Sequence, residues 1–384
     1  MSRATVLLAS VCVASSLAAA AGKTHYVVTN DDVPPRNPTS VTFYTVASDG
    51  LLTMKAKVPT GGIGIAGGFF ATNRVTVLDS GDTECVYASQ ATSNDIVGLV
   101  VRTLKVGGSA RGSSSDSGIT NGIGLAMNSK YLYASFTTSN TIGTFLVKPG
   151  CKISFVGDIS VGGLQSGSID GMVIHGSMMV ATYGDGSIES FDISGGVPVS
   201  NGDEQNSTGS RGGNTYPSGV DITKDGHYAI FGDTSPLTVV EVSDISSGKL
   251  TPTVVYRLGN EISASNILLS PDETLLYISN TQGDRVSAAF FDKSAGTLSK
   301  GCTSGKLKGY VTDWSYLGSL TLAKTTGTGG SVYVAEFGTP SSIGEIEVKS
   351  AIGKCTLTES PKSPVADPNS PGLLSIGSFP PRPF

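Results

Sequence analysis

The chain has 384 residues, of which 15% are charged and fifty are glycine, and its formal net charge is −5. This balance excludes a nucleic-acid partner, because neutralising phosphates needs a basic face that the sequence lacks. With 39% hydrophobic residues the chain is also too apolar, and too weakly charged, to be a disordered acidic tail.

In chain order, the first element is Arg3 followed by an apolar run from about Val6 to Leu17 and the small residues Ala18 to Ala21 before Gly22. A short positive segment, an apolar core too short to span a bilayer comfortably and an A-x-A exit read as a secretory signal peptide over residues 1–21. No later stretch is long and apolar enough to cross a membrane, and the proline-rich tail after Pro371 does not suit a lipid-anchor signal. Residues 22–384 are therefore expected to be exported, soluble and monomeric, and to form a single domain.

From His25 onward one motif recurs seven times: a β-rich run centred on an aromatic or apolar residue, a polar turn, and a second β-rich run. The copies begin with HYVVTND at His25, CVYASQ at Cys85, YLYASF at Tyr131, MMVATYGD at Met178, HYAIFGD at His227, LLYISN at Leu275 and SVYVAEF at Ser331. Their spacing of roughly fifty residues is that of propeller blades or solenoid units. Ahead of six copies stands a Gly-flanked apolar strand: Gly62 to Gly67, Gly122 to Met127, Ile169 to Ile174, Ser218 to Ile222, Ala264 to Leu269 and Leu317 to Leu322. The first copy has none, and a seventh candidate, Pro371 to Gly377, lies at the far end. A ring of blades must join its first and last units or expose two sheet edges. The expected fold is thus an all-β, seven-bladed β-propeller with four antiparallel strands per blade, closed by the C-terminal strand joining the first blade. Gly- and Ser-rich stretches at Ala110 to Gly118, Ser200 to Thr215, Lys324 to Gly330 and Glu359 to Ser370 read as loops.

Cys12 leaves with the signal peptide, so Cys85, Cys151, Cys302 and Cys355 remain. In an exported protein an even number suggests disulfides, and four cysteines allow three pairings. Cys302 and Cys355 follow the same motif in adjacent units, which favours pairing them and leaves Cys85 with Cys151; free buried thiols are the alternative. No cysteine or histidine spacing implies a metal, and no cofactor is implied. Asn206-Ser207-Thr208 is a glycosylation sequon in a loop.

Ser270-Pro271-Asp272-Glu273-Thr274-Leu275-Leu276-Tyr277-Ile278-Ser279-Asn280, followed by Asp292 and Gly296-Thr297-Leu298, resembles the repeat of the lactonase-like propellers, which include propeller-type 6-phosphogluconolactonases and the fungal carboxymuconate cyclases. Lys224 to Tyr228 and Gly171 to Ile174 are weaker matches to the same family. The resemblance implies a lactonase or lactone-forming cyclase acting on a small hydroxy-acid or sugar-derived substrate. In that family inner strands typically open with His or Arg, where this chain has Asp170, Ser218 and Asn266. An anionic substrate loses charge-assisted hydrogen bonds at all three positions. Calcium-dependent relatives use Glu, Asn and Asp, and no Glu opens an inner strand here.

The polar cluster expected around the axis is Asn121, Asp170, Ser218, Asn266, Asp313 and Trp314, with the tryptophan as a flat apolar wall. His25, His175 and His227 are read as surface or structural residues. No nucleophile elbow, H-E-x-x-H or phosphate-binding loop is present, so no catalytic residue is assigned. The expected function is a secreted binding or surface protein that takes a small molecule, glycan or surface-protein ligand at its channel mouth. An active lactonase or cyclase is the alternative.

Overall fold

A computed structural model describes residues 23–31, 38–65, 71–81, 83–119, 122–165, 167–207, 217–233, 238–260, 264–280, 283–309, 316–326, 329–338, 341–369, 372–373 and 375–381. Seven antiparallel sheets follow one another as the blades of a β-propeller. Blade 6 shows the pattern: an inner strand Ala264–Leu269, a second strand Leu275–Asn280, a third Arg285–Asp292 and an outer strand Thr297–Thr303. Sequence and burial agree strand by strand. The second strand is buried at every residue because blades pack on both its faces, and it reads as a continuous apolar run; the outer strand carries lysine and threonine to solvent.

Ring closure follows the expected plan with a shifted strand. Ile376–Phe379 pairs with Tyr26–Asp31, matching Tyr26 to Phe379 and Thr29 to Ile376, and supplies the inner strand of blade 1. Of the expected Pro371 to Gly377, only the last two residues belong to it. Blade 2 corrects the sequence reading more strongly. Its inner strand is Val75–Ser80, whereas Gly62 and Ile63 end the outer strand of blade 1, Leu52–Ile63. The hairpin geometry explains this: Val75–Ser80 reaches its partner Thr83–Gln90 through a tight turn at Gly81, and a strand ending at Gly67 lies too far back along the chain for such a turn.

In blade 4 the outer position is shared by two-residue strands, Val199–Ser200 and Gln205–Asn206, both paired with Ser187–Asp192. Between them Asp203 takes over, accepting hydrogen bonds from the Ser190 amide at 2.9 Å and hydroxyl at 2.5 Å.

Every neighbouring pair of blades is fastened by a specific link. The disulfides Cys85–Cys151 and Cys302–Cys355 join blade 2 to 3 and blade 6 to 7, as the motif positions had suggested. Where no disulfide exists, the Tyr133 hydroxyl donates to the Gly196 carbonyl at 2.8 Å between blades 3 and 4, and Tyr333 donates to Gly50 at 2.7 Å between blades 7 and 1. His175 Nε2 meets the Lys224 carbonyl at 2.8 Å between blades 4 and 5; a carbonyl only accepts, so this nitrogen carries the proton. The Lys224 ammonium donates to the Pro271 carbonyl at 2.5 Å between blades 5 and 6, and the Asn30 amide reaches Ser89 across blades 1 and 2 at 2.9 Å. His227 sits in an exposed turn 3.5 Å from Asp225.

Glycine is required at position 124, in the inner strand of blade 3. A Cβ there would stand 2.7 Å from both the Thr72 carbonyl oxygen and the Ser135 hydroxyl, the first of which is backbone and cannot yield cheaply. Gly124→Ala is expected to lower the unfolding free energy by about 1–3 kcal/mol. Gly195→Ala, with nothing within 4 Å of the added carbon, should change it by less than about 1 kcal/mol. Urea unfolding of both variants checks the contrast.

Candidate functional site in the central channel

The seven inner strands enclose an axial channel with about 240 Å³ of open space. Its wall mixes apolar and polar atoms, and Val77, Met127, Met172, Ile267, Leu320 and Ile376 are among the residues that line it from six of the strands. Polar contacts come from hydroxyls and amides, chiefly Thr72, Asn73, Thr76, Asn266, Ser319 and Thr321. Among the described lining residues the one ionisable side chain is Asp221. Its oxygens accept hydrogen bonds from the Ile222 and Leu269 amides, each at 2.8 Å, so the carboxylate ties blade 5 to blade 6.

A strap narrows one end of this channel. Residues 71–74, which lead into the inner strand of blade 2, lie against the free inner edge of blade 3, where the Leu125 amide donates to the Asn73 carbonyl at 3.0 Å. They continue past it to blade 4, where the Thr72 amide and hydroxyl both donate to the Asp170 carbonyl, at 3.0 and 3.2 Å. Gly124 is bare because the strap occupies the space a side chain would need. Arg74 closes the strap behind the wall: it is 2% exposed, donates through Nε to the Ala71 carbonyl at 3.3 Å and packs on Gly122.

The sequence-derived candidates separate in this frame. Asn266 is half-buried and lines the channel. Asp170 does not line it. In blades 4, 5 and 6 the register shifts at the second residue of the inner strand, so Asp170, Ser218 and Ser265 are the unpaired bulge residues and Asn266 is equivalent to Gly171 and Gly219. The bulge leaves the Asp170 carbonyl free for Thr72 and its side chain beside Gly184, fully buried. Oδ1 accepts a hydrogen bond from the Ser168 hydroxyl at 3.1 Å, while Oδ2 has no hydrogen-bond partner. Burial pushes this carboxyl well above the usual range, Ser168 opposes the shift and the nearby Asp185 charge adds to it. Asp185 moves the other way. Burial raises it, but hydrogen bonds from the Ser187 hydroxyl and the Gln165, Ser187 and Gly167 amides outweigh burial and hold it low. Asn121, Asp313 and Trp314 lie outside the described residues, as does the Ser218 side chain.

Two features were missed in the sequence. The strap and Arg74 escape sequence reasoning because the run from Gly62 is read as the inner strand of blade 2, which is Val75–Ser80. Glu336, 2% exposed at the end of the second strand of blade 7, is pushed up to about 7 by burial, with Ser342 opposing and Glu359 reinforcing the shift. The residue closing each copy of the motif carries no marker of burial.

No family profile and no curated protein sequence matches the chain. Solved structures of similar fold do. One is a protein provisionally described as a 6-phosphogluconolactonase, from Bacteroides fragilis, with a TM-score of 0.65 and 16% identity over 93% of this chain and 98% of that one. A protein of unknown function from Desulfotomaculum acetoxidans matches with a TM-score of 0.63 and 15% identity, over 91% and 98%. The periplasmic gluconolactonase of Pseudomonas aeruginosa matches with a TM-score of 0.56 and 14% identity, over 72% and 81%. At these identities the likeness establishes a lactonase-like propeller fold, and one fold carries many functions.

Asp170 yields a pH test. Its folded carboxyl holds a proton that the unfolded chain releases above about pH 4, so stability falls as pH rises from there until the folded pKa is passed. Asp170→Asn lacks this component. Unfolding free energies from urea titration at pH 4, 6 and 8 should therefore fall more steeply for the parent protein than for the variant, by about 1.4 kcal/mol per pH unit at most.

Proposed function

We propose that the protein is an exported, monomeric binding protein whose channel takes an uncharged small molecule bearing both hydroxyl groups and an apolar face, such as a neutral sugar-derived lactone or a glycan end. The observation that carries this reading is the composition of the channel wall: apolar side chains with interspersed hydroxyls and amides, and a carboxylate already engaged by two backbone amides. An anion entering such a wall sheds its water and meets no described lining cation, a cost that a neutral polyol does not incur. The two disulfides support export, since such bonds persist in oxidising compartments. Among the described residues no helix is long and apolar enough to cross a membrane.

A second reading, hydrolysis of a neutral sugar lactone, is favoured by the fold likeness to the Pseudomonas aeruginosa gluconolactonase. Titration calorimetry and a proton-release assay separate the two on one panel of neutral lactones, their open polyols and their phosphorylated counterparts. Binding of a neutral member at least about ten-fold tighter than its phosphorylated counterpart, weakened about ten-fold by Asn266→Ala, is expected. Turnover of the neutral lactone would establish the second reading, and tighter binding of the phosphorylated form would overturn both.

Asn206 is exposed on its two-residue strand and is proposed to carry an N-linked glycan when the chain is exported from a eukaryotic cell. Endoglycosidase treatment should increase gel mobility for the parent chain and leave Asn206→Gln unchanged.

A further inference from the structure

The segment that carries the chain from blade 7 into the closing strand is held on both sides. On blade 7, the amides of Asp367 and Leu373 donate to the Ser341 carbonyl and hydroxyl, at 2.9 and 3.3 Å, and the Ile376 amide donates to the Ser319 hydroxyl at 2.9 Å. On blade 1, the Asn30 amide donates to the Ser375 carbonyl at 3.4 Å, and the Lys57 ammonium donates to Asn369 Oδ1 at 2.9 Å. Between these anchors two carboxyls are buried close enough for the charge of one to act on the other. Asp31, at the end of the second strand of blade 1, is 0% exposed, and Asp367 is 1% exposed.

Donor bookkeeping makes the pair unequal. Asp31 accepts three hydroxyl hydrogen bonds, from Thr29 at 2.6 Å on Oδ1 and from Ser40 at 2.6 Å and Thr42 at 2.7 Å on Oδ2. Asp367 accepts one, from the Asn369 amide at 3.2 Å on Oδ1, and its Oδ2 has no hydrogen-bond partner. Thr29 and Tyr44 border both groups, and the charge acting on Asp367 from blade 1 is that of Lys57, whose ammonium is engaged with Asn369. The Tyr44 and Thr29 hydroxyls beside Asp367 favour its charge but do not outweigh its burial, so of the two the better-solvated charge is that on Asp31. A second charge, on Asp367, would be buried beside the first, and burial outweighs the donors around it.

We propose that Asp31 and Asp367 hold one proton between them in the closed ring, and that losing it loosens Asp367 and the closing strand Ile376–Phe379 from blade 1, so that ring closure is a latch that tightens in acid. Burial raises both carboxyls, and for Asp31 the charge of Asp367 adds to the effect; Tyr44 is likewise raised, by burial first and then by both carboxylates, so it stays neutral across the range concerned. The sign follows. The closed state binds a proton that the opened segment, with ordinary carboxyls, releases above about pH 4, so closure weakens as pH rises from there toward neutrality.

Hydrogen exchange read by mass spectrometry at pH 5 and pH 8, corrected for intrinsic rates, tests the latch on the whole protein. Protection of Ile376–Phe379 and of Tyr26–Asp31 should fall at least about ten-fold between the two pH values, relative to Tyr131–Phe136 in blade 3 as an internal reference. In Asp367→Asn and, independently, in Asp31→Asn, the change should be less than about two-fold. Unchanged protection in the parent protein overturns the proposal without recourse to either variant. A ten-fold drop retained in Asp367→Asn overturns it also, by placing the titration elsewhere. Protection restored at pH 8 by millimolar calcium in the parent but not in Asp367→Asn overturns it in favour of a cation held by the two carboxylates.

Discussion

The architecture depends on the pairing of Ile376–Phe379 with Tyr26–Asp31. Each blade buries its second strand only because another blade covers each face, so no blade has a core of its own. In an open array the two end blades would each present a bare apolar face and an unpaired edge. The four-residue ladder removes both ends at once. The links around the ring then divide the remaining work: disulfides on two interfaces, tyrosine hydroxyls on two others, and His175, Lys224 and Asn30 on the rest.

Much of this frame was legible in the residues. The seven copies of the motif are the second strands together with their turns, and their aromatic centres, Tyr87, Tyr133, Tyr277 and Tyr333 among them, are fully buried. Blade count, closure from the far end of the chain and both cysteine pairs followed from that repetition. What failed to follow was local. The run from Gly62 has the small-and-apolar composition of an inner strand, yet composition alone does not distinguish the end of an outer strand from the start of the next inner one; the distance to the hairpin partner does. Bulges were invisible for a similar reason. A single unpaired residue in blades 4 to 6 shifts which side chain faces the axis, and so Asn266 reached the channel wall while Asp170 turned into its own blade.

That shift alters how the departures from the lactonase-like pattern are read. Asp170 would repel an anion only if its carboxylate were exposed to the channel, and it is buried in its own blade, where burial also disfavours its charge. The wall is built instead mostly of Val, Leu, Ile, Met, Thr and Ser side chains spread over the seven inner strands, and its one described carboxylate, Asp221, is held by two backbone amides. A resemblance carried by blade repeats speaks to how blades are built. The chemistry of a channel depends on a few inward positions that the repeats leave free to vary, which is why fold and activity separate so readily in this architecture.

The strap at residues 71–74 gives the channel something that sevenfold repetition cannot. A ring of equivalent strands presents a guest with seven similar orientations about the axis, and a small ligand would gain little by choosing one. By laying backbone across blade 3 and fastening it to blade 4, the strap makes one side of the wall unlike the other six and places the Thr72 and Asn73 side chains there. A molecule entering this channel would therefore meet walls that differ on its two sides.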